Sequence, residues 1–336
     1  MIRRRRRWRV AAVAAVAAGL ALGGASVGPW GSAGAAPGGG GEPDGRGPFS
    51  ARVQVAWVDH AGQHSAVLDV IAVDGVVRIE GPADLPARPG AATVLHTRGW
   101  SLLGPAGGDR IGGDLAGKYD VARAPGPPVA DRATTLVSLH HRGELRERLA
   151  VDTATGLVLR REQFDPTGRP VRVVTVLKLD TAPPAGVVEG VRPPQGGRDA
   201  VDVEELPSTY RAPAVLAGAF RQVGAYRHAR GVHLLYTDGL HGLSLFTERG
   251  KLARDSLPRG GEVVRLGRAT GVRYTWPGGE VVTWESGPMV HTLVGDATAA
   301  ELLAAARSLP RPGRGSVLAR LRGTCRTVAE LVTGGR

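Results

Sequence analysis

The stretch AVDTATGLVLRREQFDPTGRPVRVV, residues 150–174, constrains the fold more than any other part of the sequence. It places apolar runs on either side of DTATG and of DPTG, two segments rich in turn-forming residues. Apolar runs of strand length that alternate with such segments predict consecutive antiparallel strands. In the last run, VRVVTVLKL, both alternating faces are largely apolar near the middle. We therefore expect a helix, a second sheet or a ligand to cover each face of this sheet.

The same pattern extends through residues 49–180, which we take as the first domain. The segment SARVQVAWVD predicts a half-buried strand, because its apolar residues alternate with polar or small ones. Further hairpins are predicted at three turn segments flanked by apolar runs: Asp74-Gly75, Thr97-Arg98-Gly99 and His141-Arg142-Gly143. The first domain is therefore predicted to be a sheet of successive antiparallel strands.

Residues 201–310 predict a second strand-rich domain that is closed by one helix. Asp238-Gly239 predicts a hairpin between VHLLYT and LHGLSLFTE. Further strands are predicted at EVVRL, VRYTW, EVVTWE and MVHTLV. In TAAELLAAARSL, Thr298 and Glu301 have capping-box spacing and Pro310 ends the helical pattern. The predicted buried face of this helix consists of Leu302, Leu303, Ala306 and Leu309.

The amino-terminal segment, residues 1–35, predicts a signal peptide or an uncleaved membrane anchor. The basic MIRRRRRWRV precedes the mildly apolar AAVAAVAAGLALGGASV, which is the order of parts in an export signal. Small residues before the leader predict cleavage between Ala35 and Ala36. In either case the body of the chain is expected outside the cytoplasm, in the periplasm or cell envelope. Glycine, proline and charge content define the remaining segments: a flexible leader at 36–48, a linker at 181–200 and a basic tail at 311–336.

The formal net charge of +12 invites a nucleic-acid interpretation, but the distribution of the charge argues against one. Residues 1–35 carry +6 and residues 311–336 carry +5, which leaves +1 for the body between them. The body shows no basic patch with interleaved aromatics, and no helix-turn-helix or zinc-finger spacing. We therefore expect no nucleic-acid partner.

The sequence contains no motif that marks a catalytic, cofactor or metal site. After residue 35, a Gly-x-Ser-x-Gly elbow, a phosphate loop and a dinucleotide fingerprint that opens a helix are all missing. Cys325 is the only cysteine, which excludes an internal disulfide and a cysteine-based zinc site. His140 and His141 are adjacent in a predicted strand and so point to opposite faces. The prediction is a protein that uses no cofactor or metal and catalyses no reaction.

Four segments resemble a known family, the MucB/RseB regulators of extracytoplasmic sigma-factor signalling, whose related folds include the lipoprotein carrier LolA. DTATGLVLRREQFDPTGRPVRVV is similar to the family's hairpin signature. In the second domain, Leu206-Pro207, then Tyr236-Thr237-Asp238-Gly239-Leu240 with LSLF, and MVHTLVGDATAAELLAAARSL resemble the family's entry, hairpin and closing strand with helix. The resemblance covers about residues 90–310, and it is the order and spacing of these segments that make it specific.

The resemblance implies an α+β, mostly β fold. The first domain would be a LolA-like curved antiparallel sheet, or half-barrel, and a smaller antiparallel sheet closed by one helix would follow. It implies a membrane-proximal regulator that binds the extracytoplasmic domain of an anti-sigma factor during envelope stress and shields it from proteolysis. Binding of lipid, lipopolysaccharide or lipoprotein would release the anti-sigma factor. The alternative is a carrier or sensor of lipid or lipoprotein acyl chains. The family's initial amphipathic helix has no counterpart here, because SARVQVAWVD predicts a strand.

Two groups of residues complete the predictions. Arg160, Arg161 and Glu162 place three charges together in the hairpin, and we interpret them as a solvated strand end. Six apolar residues could line a concave face that holds a ligand, with ordinary core as the alternative for each: Trp57, Trp100, Leu136, Val158, Leu159 and Phe164.

Overall fold

The computed structural model describes residues 9–10, 48–73, 76–80, 93–96, 118–185, 199–210, 212–228 and 231–309. These residues form two antiparallel sheets, a short parallel pair that begins with β1 (Arg9–Val10), and a helix, α1 (Ala299–Ser308), that packs on the second sheet. The predicted fold class, mostly β with two antiparallel sheets and one helix, is confirmed. None of the helices in these ranges is long and apolar enough to cross a membrane.

The first sheet contains nine strands. Their bounds are β2 (Phe49–Asp59), β3 (Gly62–Val73), β4 (Val76–Glu80), β5 (Thr93–His96), β6 (Asp120–Val129), β7 (Arg132–His141), β8 (Glu144–Asp152), β9 (Val158–Phe164) and β10 (Pro170–Asp180). They lie in the order β5-β4-β3-β2-β10-β9-β8-β7-β6. Two runs of hairpins are thus joined by the pairing of β2 with β10, which no local turn signal specifies.

The hairpins predicted for residues 150–174 are confirmed. Strands β8, β9 and β10 are separated by turns at DTATG and DPTG. In the second turn the Asp165 carboxylate accepts hydrogen bonds from the backbone N–H of Thr167 at 2.8 Å and of Arg169 at 3.1 Å. This carboxylate therefore sets the tight reversal that the sequence predicts. Between β7 and β8, Arg142 and Gly143 adopt φ values of +54° and +80°, as a type I′ turn requires.

The first sheet is strongly coiled. Strands β6 and β10 approach within 8 Å at their Cα atoms, although three strands lie between them in the sheet. The inner face carries the core, to which β2, β3 and β10 contribute alternate residues: Ala51, Val53, Val55, Trp57, Ala66, Leu68, Val70, Val174 and Val176. On the outer face of β10, Val173 is half-buried and Leu177 is 48% exposed. The expectation that both faces of VRVVTVLKL are covered is correct for the inner face. The outer face is only partly covered, and Leu177 stays exposed where the register shifts between Val176 and Lys178.

The second sheet also contains nine strands. Their bounds are β11 (Asp199–Ala200), β12 (Val215–Leu216), β13 (Phe220–His228), β14 (Gly231–Thr237), β15 (Gly242–Arg249), β17 (Glu262–Leu266), β18 (Ala269–Trp276), β19 (Gly279–Ser286) and β20 (Met289–Gly295). They lie in the order β11-β13-β14-β15-β20-β19-β18-β17, and β12 also pairs with β13. β16 (Lys251–Leu252) lies outside this sheet and pairs in parallel with β1. Short 3₁₀ turns occupy Val203–Glu205, Ser208–Tyr210 and Arg254–Ser256.

The helix α1 begins where the capping box predicted it. The Thr298 hydroxyl accepts a hydrogen bond from the Glu301 N–H at 3.4 Å, and the Glu301 carboxylate accepts one from the Thr298 N–H at 3.2 Å. Leu302 and Ala306 are buried against the second sheet as predicted, and Ala305 joins them. The four strands predicted before the helix correspond to β17, β18, β19 and β20.

Several predictions fall outside the described residues. They are the cleavage site at Ala35 and Ala36, Trp100, the turns Asp74-Gly75 and Thr97-Arg98-Gly99, the tail 311–336 and most of the leader 36–48 and linker 181–200. The domain boundaries proposed from composition stay predictions.

Candidate functional site

The two sheets meet at a buried set of polar side chains, which we call the seam. It consists of Glu147, Arg161, Gln163 and Arg172 from the first sheet, and of Asp238, His241, Glu280 and Asp296 from the second. Each of these residues is at most 8% exposed. Because a buried charge is costly unless it is paired, the partners within the seam decide what it can do.

Strand register brings the first-sheet members of the seam together. Glu147 on β8 lies opposite Gln163 on β9, and Gln163 lies opposite Arg172 on β10. Arg161 precedes Gln163 by two residues and therefore shares its face of the sheet. These polar residues extend the rows of the apolar inner face to the end that the second sheet covers.

The second sheet reaches the seam through the loop 238–241 between β14 and β15. The Asp238 carboxylate accepts hydrogen bonds from the backbone N–H groups of Leu240 at 2.9 Å and His241 at 2.7 Å. The hairpin predicted at Asp238-Gly239 is confirmed, with a loop of four residues that folds around this carboxylate. Leu240 projects from the loop and is buried in the core of the first sheet, so the loop joins the two sheets.

Arg161 lies at the centre of the seam. Its guanidinium donates two parallel hydrogen bonds to the Glu147 carboxylate, from Nε at 2.9 Å and from Nη2 at 2.7 Å. Its Nη1 donates to Asp296 Oδ2 at 2.9 Å, across the boundary between the sheets. Burial alone would raise the pKa of Glu147, but Arg161 and His241 outweigh it and lower that pKa to about 2.

His241 lies between two buried carboxylates from different sheets. Its Nε2 is 2.9 Å from Glu147 Oε1, and its Nδ1 is 3.5 Å from Asp238 Oδ2. Burial would lower the pKa of His241, but Asp238 and Glu147 outweigh it and raise that pKa well above 6.5. The imidazole is therefore a cation at neutral pH, and it links the loop 238–241 to strand β8.

Asp238, His241 and Glu301 form a group whose potential ligand atoms lie within 4.8 Å of one another, the only such group in the part of the chain that the structure describes. The ammonium of Lys118 already occupies this position. It donates to Asp238 and lies 4.0 Å from Glu301 Oε1, while Tyr119 donates to Asp238 at 2.9 Å. With a protonated histidine and an internal ammonium in place, these residues fit an ion-pair cluster better than a metal centre.

Arg172 and Glu280 form a looser contact at the other end of the seam. Arg172 Nη2 is 3.7 Å from Glu280 Oε1, and its Nη1 donates to Gln163 at 3.3 Å. Trp57 lies opposite Arg172 on β2, and neither its Nε1 nor Arg172 Nε has a hydrogen-bond partner among the described residues. Glu280 accepts hydrogen bonds from Thr275 at 3.0 Å and Arg273 at 3.4 Å. Burial nevertheless raises the pKa of Glu280 to about 7, against the opposing effect of Arg172 and Arg273.

This arrangement is suited to hold the two sheets in one orientation. Each carboxylate of the seam accepts a hydrogen bond or lies against a cation supplied by the protein itself. General acid–base catalysis needs a titratable group that faces a substrate, and within the described ranges the seam shows none. Its chemistry is that of an interface.

The sequence-predicted ligand contacts do not gather at the seam. Trp57, Val158 and Leu159 are buried in the core of the first sheet, with exposures of 4%, 3% and 0%. Leu136 is half-buried on β7, and Phe164 is buried beside Arg148 at the end of β9. The assignment of these residues to a ligand stays a prediction.

The interpretation of Arg160, Arg161 and Glu162 as a solvated strand end is wrong for Arg161. Arg160 and Glu162 lie on the outer face and form a partly exposed ion pair at 2.7 Å, whereas Arg161 faces inward. Strand alternation puts Arg161 on the same face as Leu159 and Gln163, which was a usable signal. Nothing in the local sequence shows that a second domain would cover that face and supply Asp296.

No protein-family model and no curated protein matches the chain. Among solved structures, its fold is similar to that of MucB. The structure of MucB alone has a TM-score of 0.46 and 19% identity, and the match covers 80% of this chain and 94% of that one. The complex of Pseudomonas aeruginosa MucA and MucB has a TM-score of 0.39 and 19% identity, over 80% and 95% of the two chains. A LolA superfamily protein from Nitrosomonas europaea has a TM-score of 0.20 and 14% identity, over 44% of this chain and 90% of its own.

These similarities concern the fold alone. The resemblance to MucB/RseB proteins and to LolA-like folds that the sequence motifs predict is confirmed at that level. Partner and ligand have to be argued from the residues of this chain.

Proposed function

We propose that this protein is an exported, non-enzymatic regulator of sigma-factor signalling. It binds the extracytoplasmic part of a membrane anti-sigma factor and shields that segment from proteolysis. Its basic and apolar residues 1–35 direct it out of the cytoplasm, as a cleaved signal or as an anchor.

One observation carries the proposal: three of the four segments that resemble the MucB/RseB family contribute side chains to the seam. The hairpin signature contributes Arg161 and Gln163, the Tyr-x-Asp-Gly-Leu segment contributes Asp238 and Leu240, and the closing segment contributes Asp296. The family motifs therefore coincide with the contacts that fix one domain against the other. In a protein that works by binding, two domains held in one orientation can offer a partner a single composite surface.

The absence of a catalytic motif agrees with a binding role. After residue 35 the sequence contains no nucleophile elbow or phosphate loop, and the buried titratable groups of the seam face protein partners. Competition between a partner and a ligand for binding needs no covalent reaction. A ligand can release the partner if it binds the partner-free state more tightly than the bound state.

The test is co-purification from the cell envelope with the protein bound to a solid support. Proteins and lipids from the same sample are then identified by mass spectrometry. The expected product is a single-span membrane protein with a sigma-binding cytoplasmic domain, and its purified extracytoplasmic segment should bind this chain directly and resist protease in the complex. Recovery of a converted small molecule, or a segment that binds without protection, would contradict the proposal.

A second function is favoured by the coiled first sheet. Its inner face is lined by Val53, Val55, Leu68 and Val70 in adjacent strands, and an acyl chain would bind there by replacing the packing that buries these residues. A carrier or sensor of lipid or lipoprotein acyl chains would use this face. Organic extraction of the purified protein distinguishes the two functions, because a carrier yields about one lipid per chain and a regulator without lipid yields none.

A further inference from the structure

The second sheet ends at the strand β17 (Glu262–Leu266). Among the residues that the structure describes, β17 pairs only with β18, and the strand contains neither a proline nor a bulge. The opposite edge strand of the same sheet, β13, is covered by β11 at one end and β12 at the other. In the first sheet, the edge strand β6 carries Pro125, Pro127 and Pro128. Prolines and short covering strands are devices that prevent an edge from pairing, and β17 has neither of them.

The backbone of β17 directs hydrogen-bonding groups away from the sheet at defined positions. Leu266 and Ala269 close a two-residue loop, and in such hairpins the closing pair exchanges both of its backbone hydrogen bonds. Bonded and non-bonded pairs then alternate, so Val264 bonds to β18 while the N–H and C=O groups of Val263 and Arg265 point away from the sheet. Arg307 of α1 donates to the Arg265 carbonyl oxygen at 3.4 Å, which agrees with this direction.

Val263 stands in the middle of this edge with its side chain 72% exposed, more than any other large apolar residue described. Its cross-strand neighbour Val272 is half-buried. An added strand would therefore find backbone donors and acceptors together with an apolar contact at the same position.

Four arginines surround the edge and none of them has a carboxylate partner among the described residues. Arg259 precedes β17, Arg265 lies within it, Arg268 is in the following turn and Arg307 lies on α1; all four are exposed. The acidic residue of the strand, Glu262, already accepts a hydrogen bond from Arg273 at 2.9 Å. The edge is therefore electropositive, and it favours a partner that carries carboxylates.

A second copy of this chain fits the edge poorly. Five residues span about 17 Å at the usual rise per residue, which is too short for the roughly 1,000 Å² that a stable dimer buries. Antiparallel pairing of two copies would also bring the arginines of both edges close together. An extended peptide avoids both problems, because it can follow the strand and carry opposite charge.

We propose that the outer edge of β17 binds an extended, acidic segment of a partner protein as an added strand. The segment bonds to the backbone of Val263 and Arg265, packs an apolar side chain on Val263 and places carboxylates near Arg259 and Arg268. This gives the anti-sigma partner a contact surface, and in that respect the inference rests on the proposed function. Binding of an acidic strand itself is independent of that function.

The test uses a fluorescently labelled peptide, acetyl-Glu-Val-Glu-Val-Glu-Val-Glu-amide, and the purified chain. Fluorescence anisotropy gives the affinity, and amide hydrogen exchange gives the site. The peptide should slow exchange at the N–H groups of Val263 and Arg265, which point outward. That of Val264, already bonded to β18, should change little. A peptide with lysine in place of glutamate should bind at least about tenfold more weakly, because it meets the arginines with like charge.

Two substitutions at one position separate the backbone from the side chain. Val263→Pro removes the outward N–H without breaking a bond to β18, and it should weaken binding of the acidic peptide at least about tenfold. Val263→Ala keeps that N–H and should weaken binding of the same peptide only about threefold. Thermal unfolding checks that each variant remains folded. Unchanged binding by Val263→Pro, or equal binding of the glutamate and lysine peptides, would overturn the proposal.

The outcome also separates this inference from the proposed function. If an anti-sigma segment binds Val263→Pro as tightly as the unmodified chain, the function stands and the edge is not its contact. If the acidic peptide binds the edge but no anti-sigma segment binds the chain, the edge proposal stands and the proposed function fails.

Discussion

The two ends of the seam bury the same kinds of groups in different ways. At one end, Arg161 makes three hydrogen bonds of 2.7 to 2.9 Å to Glu147 and Asp296. At the other end, and within the part of the chain that the structure describes, Arg172 makes one hydrogen bond of 3.3 Å, lies 3.7 Å from Glu280, and leaves Nε without a partner. Both guanidiniums are almost fully buried, so the difference between them lies in their partners.

The pKa values follow the same division. Burial would lower the pKa of Arg161, but Glu147 and Asp296 outweigh it and raise that pKa. For Arg172, burial lowers the pKa and Glu280 only partly offsets it. A buried ion pair stabilises a fold when its geometry satisfies both partners, and it costs free energy when it does not. The Arg161 end therefore holds the domains together, and the Arg172 end is where they can separate with the smallest loss of bonds.

The largest expected effect tests the Arg161 end. Arg161→Met keeps the length of the side chain but leaves the carboxylates of Glu147 and Asp296 buried without their main cation. We expect the free energy of unfolding to fall by about 3–5 kcal/mol, the usual cost of removing one partner of a buried pair. Urea denaturation followed by tryptophan fluorescence measures the change.

Arg160→Met is the matched control for that substitution. Arg160 is the preceding residue on the same strand, but its side chain is 42% exposed and pairs with Glu162 on the outer face. Its removal should cost less than about 1 kcal/mol. If the two variants lose equal stability, Arg161 does not anchor the seam.

The next largest effect is expected in the pH dependence of the stability. It tests the Arg172 end of the seam, because Glu280 titrates there. The pKa of Glu280 in the folded protein is raised by burial to about 7, above the 4.5 of an unburied carboxyl. The folded state thus holds this proton more tightly than the unfolded state, so the contribution of Glu280 is most favourable below pH 4.5 and is lost as the pH rises toward 7. Glu280→Gln should remove that loss and stabilise the protein at pH 8 by on the order of 1–3 kcal/mol.

At the Arg161 end, Glu147 should make the stability depend on pH in the opposite direction. Its pKa is lowered to about 2 in the folded protein, so its contribution is present above pH 4.5 and is lost as the pH falls toward 2. Glu147→Gln should therefore be destabilising at pH 7 and lose its effect in strong acid. If the stability of Glu147→Gln and that of Glu280→Gln, each relative to the unmodified protein, change with pH in the same direction, the two ends of the seam do not differ.

The sequence predicts the elements that local signals determine, and it does not predict the contacts of the seam. The hairpins around Asp165 and Gly143, six strands of the second sheet (β14, β15 and β17 to β20) and the capped helix at Thr298 all depend on signals within a few residues, and they were predicted correctly. The strand β13 carries no such local signal and was not predicted. Local turn chemistry and alternation fix these elements independently of the rest of the fold.

The seam depends on contacts between residues far apart in the chain. Arg161 and Asp296 are separated by 135 residues, and His241 and Glu147 by 94. Alternation could place Arg161 on the inner face, and it could not show that the loop at Leu240 would dock there. The pairing of β2 with β10 escaped prediction for the same reason, because no turn connects them.

The smallest expected effect is that of Arg172→Met. This substitution removes one hydrogen bond of 3.3 Å and an unsatisfied Nε, and Glu280 keeps its hydrogen bonds from Thr275 and Arg273. The loss of a poorly paired buried charge offsets the loss of the contact, so the free energy of unfolding should change by less than about 1 kcal/mol in either direction. A double-mutant cycle with Glu280→Gln should give a small coupling energy, and the cycle of Arg161→Met with Asp296→Asn a coupling at least twice as large. Equal couplings would mean that the two guanidiniums contribute alike to the seam. The Arg172 end could then not be the place where a ligand or partner separates the domains at the lower cost.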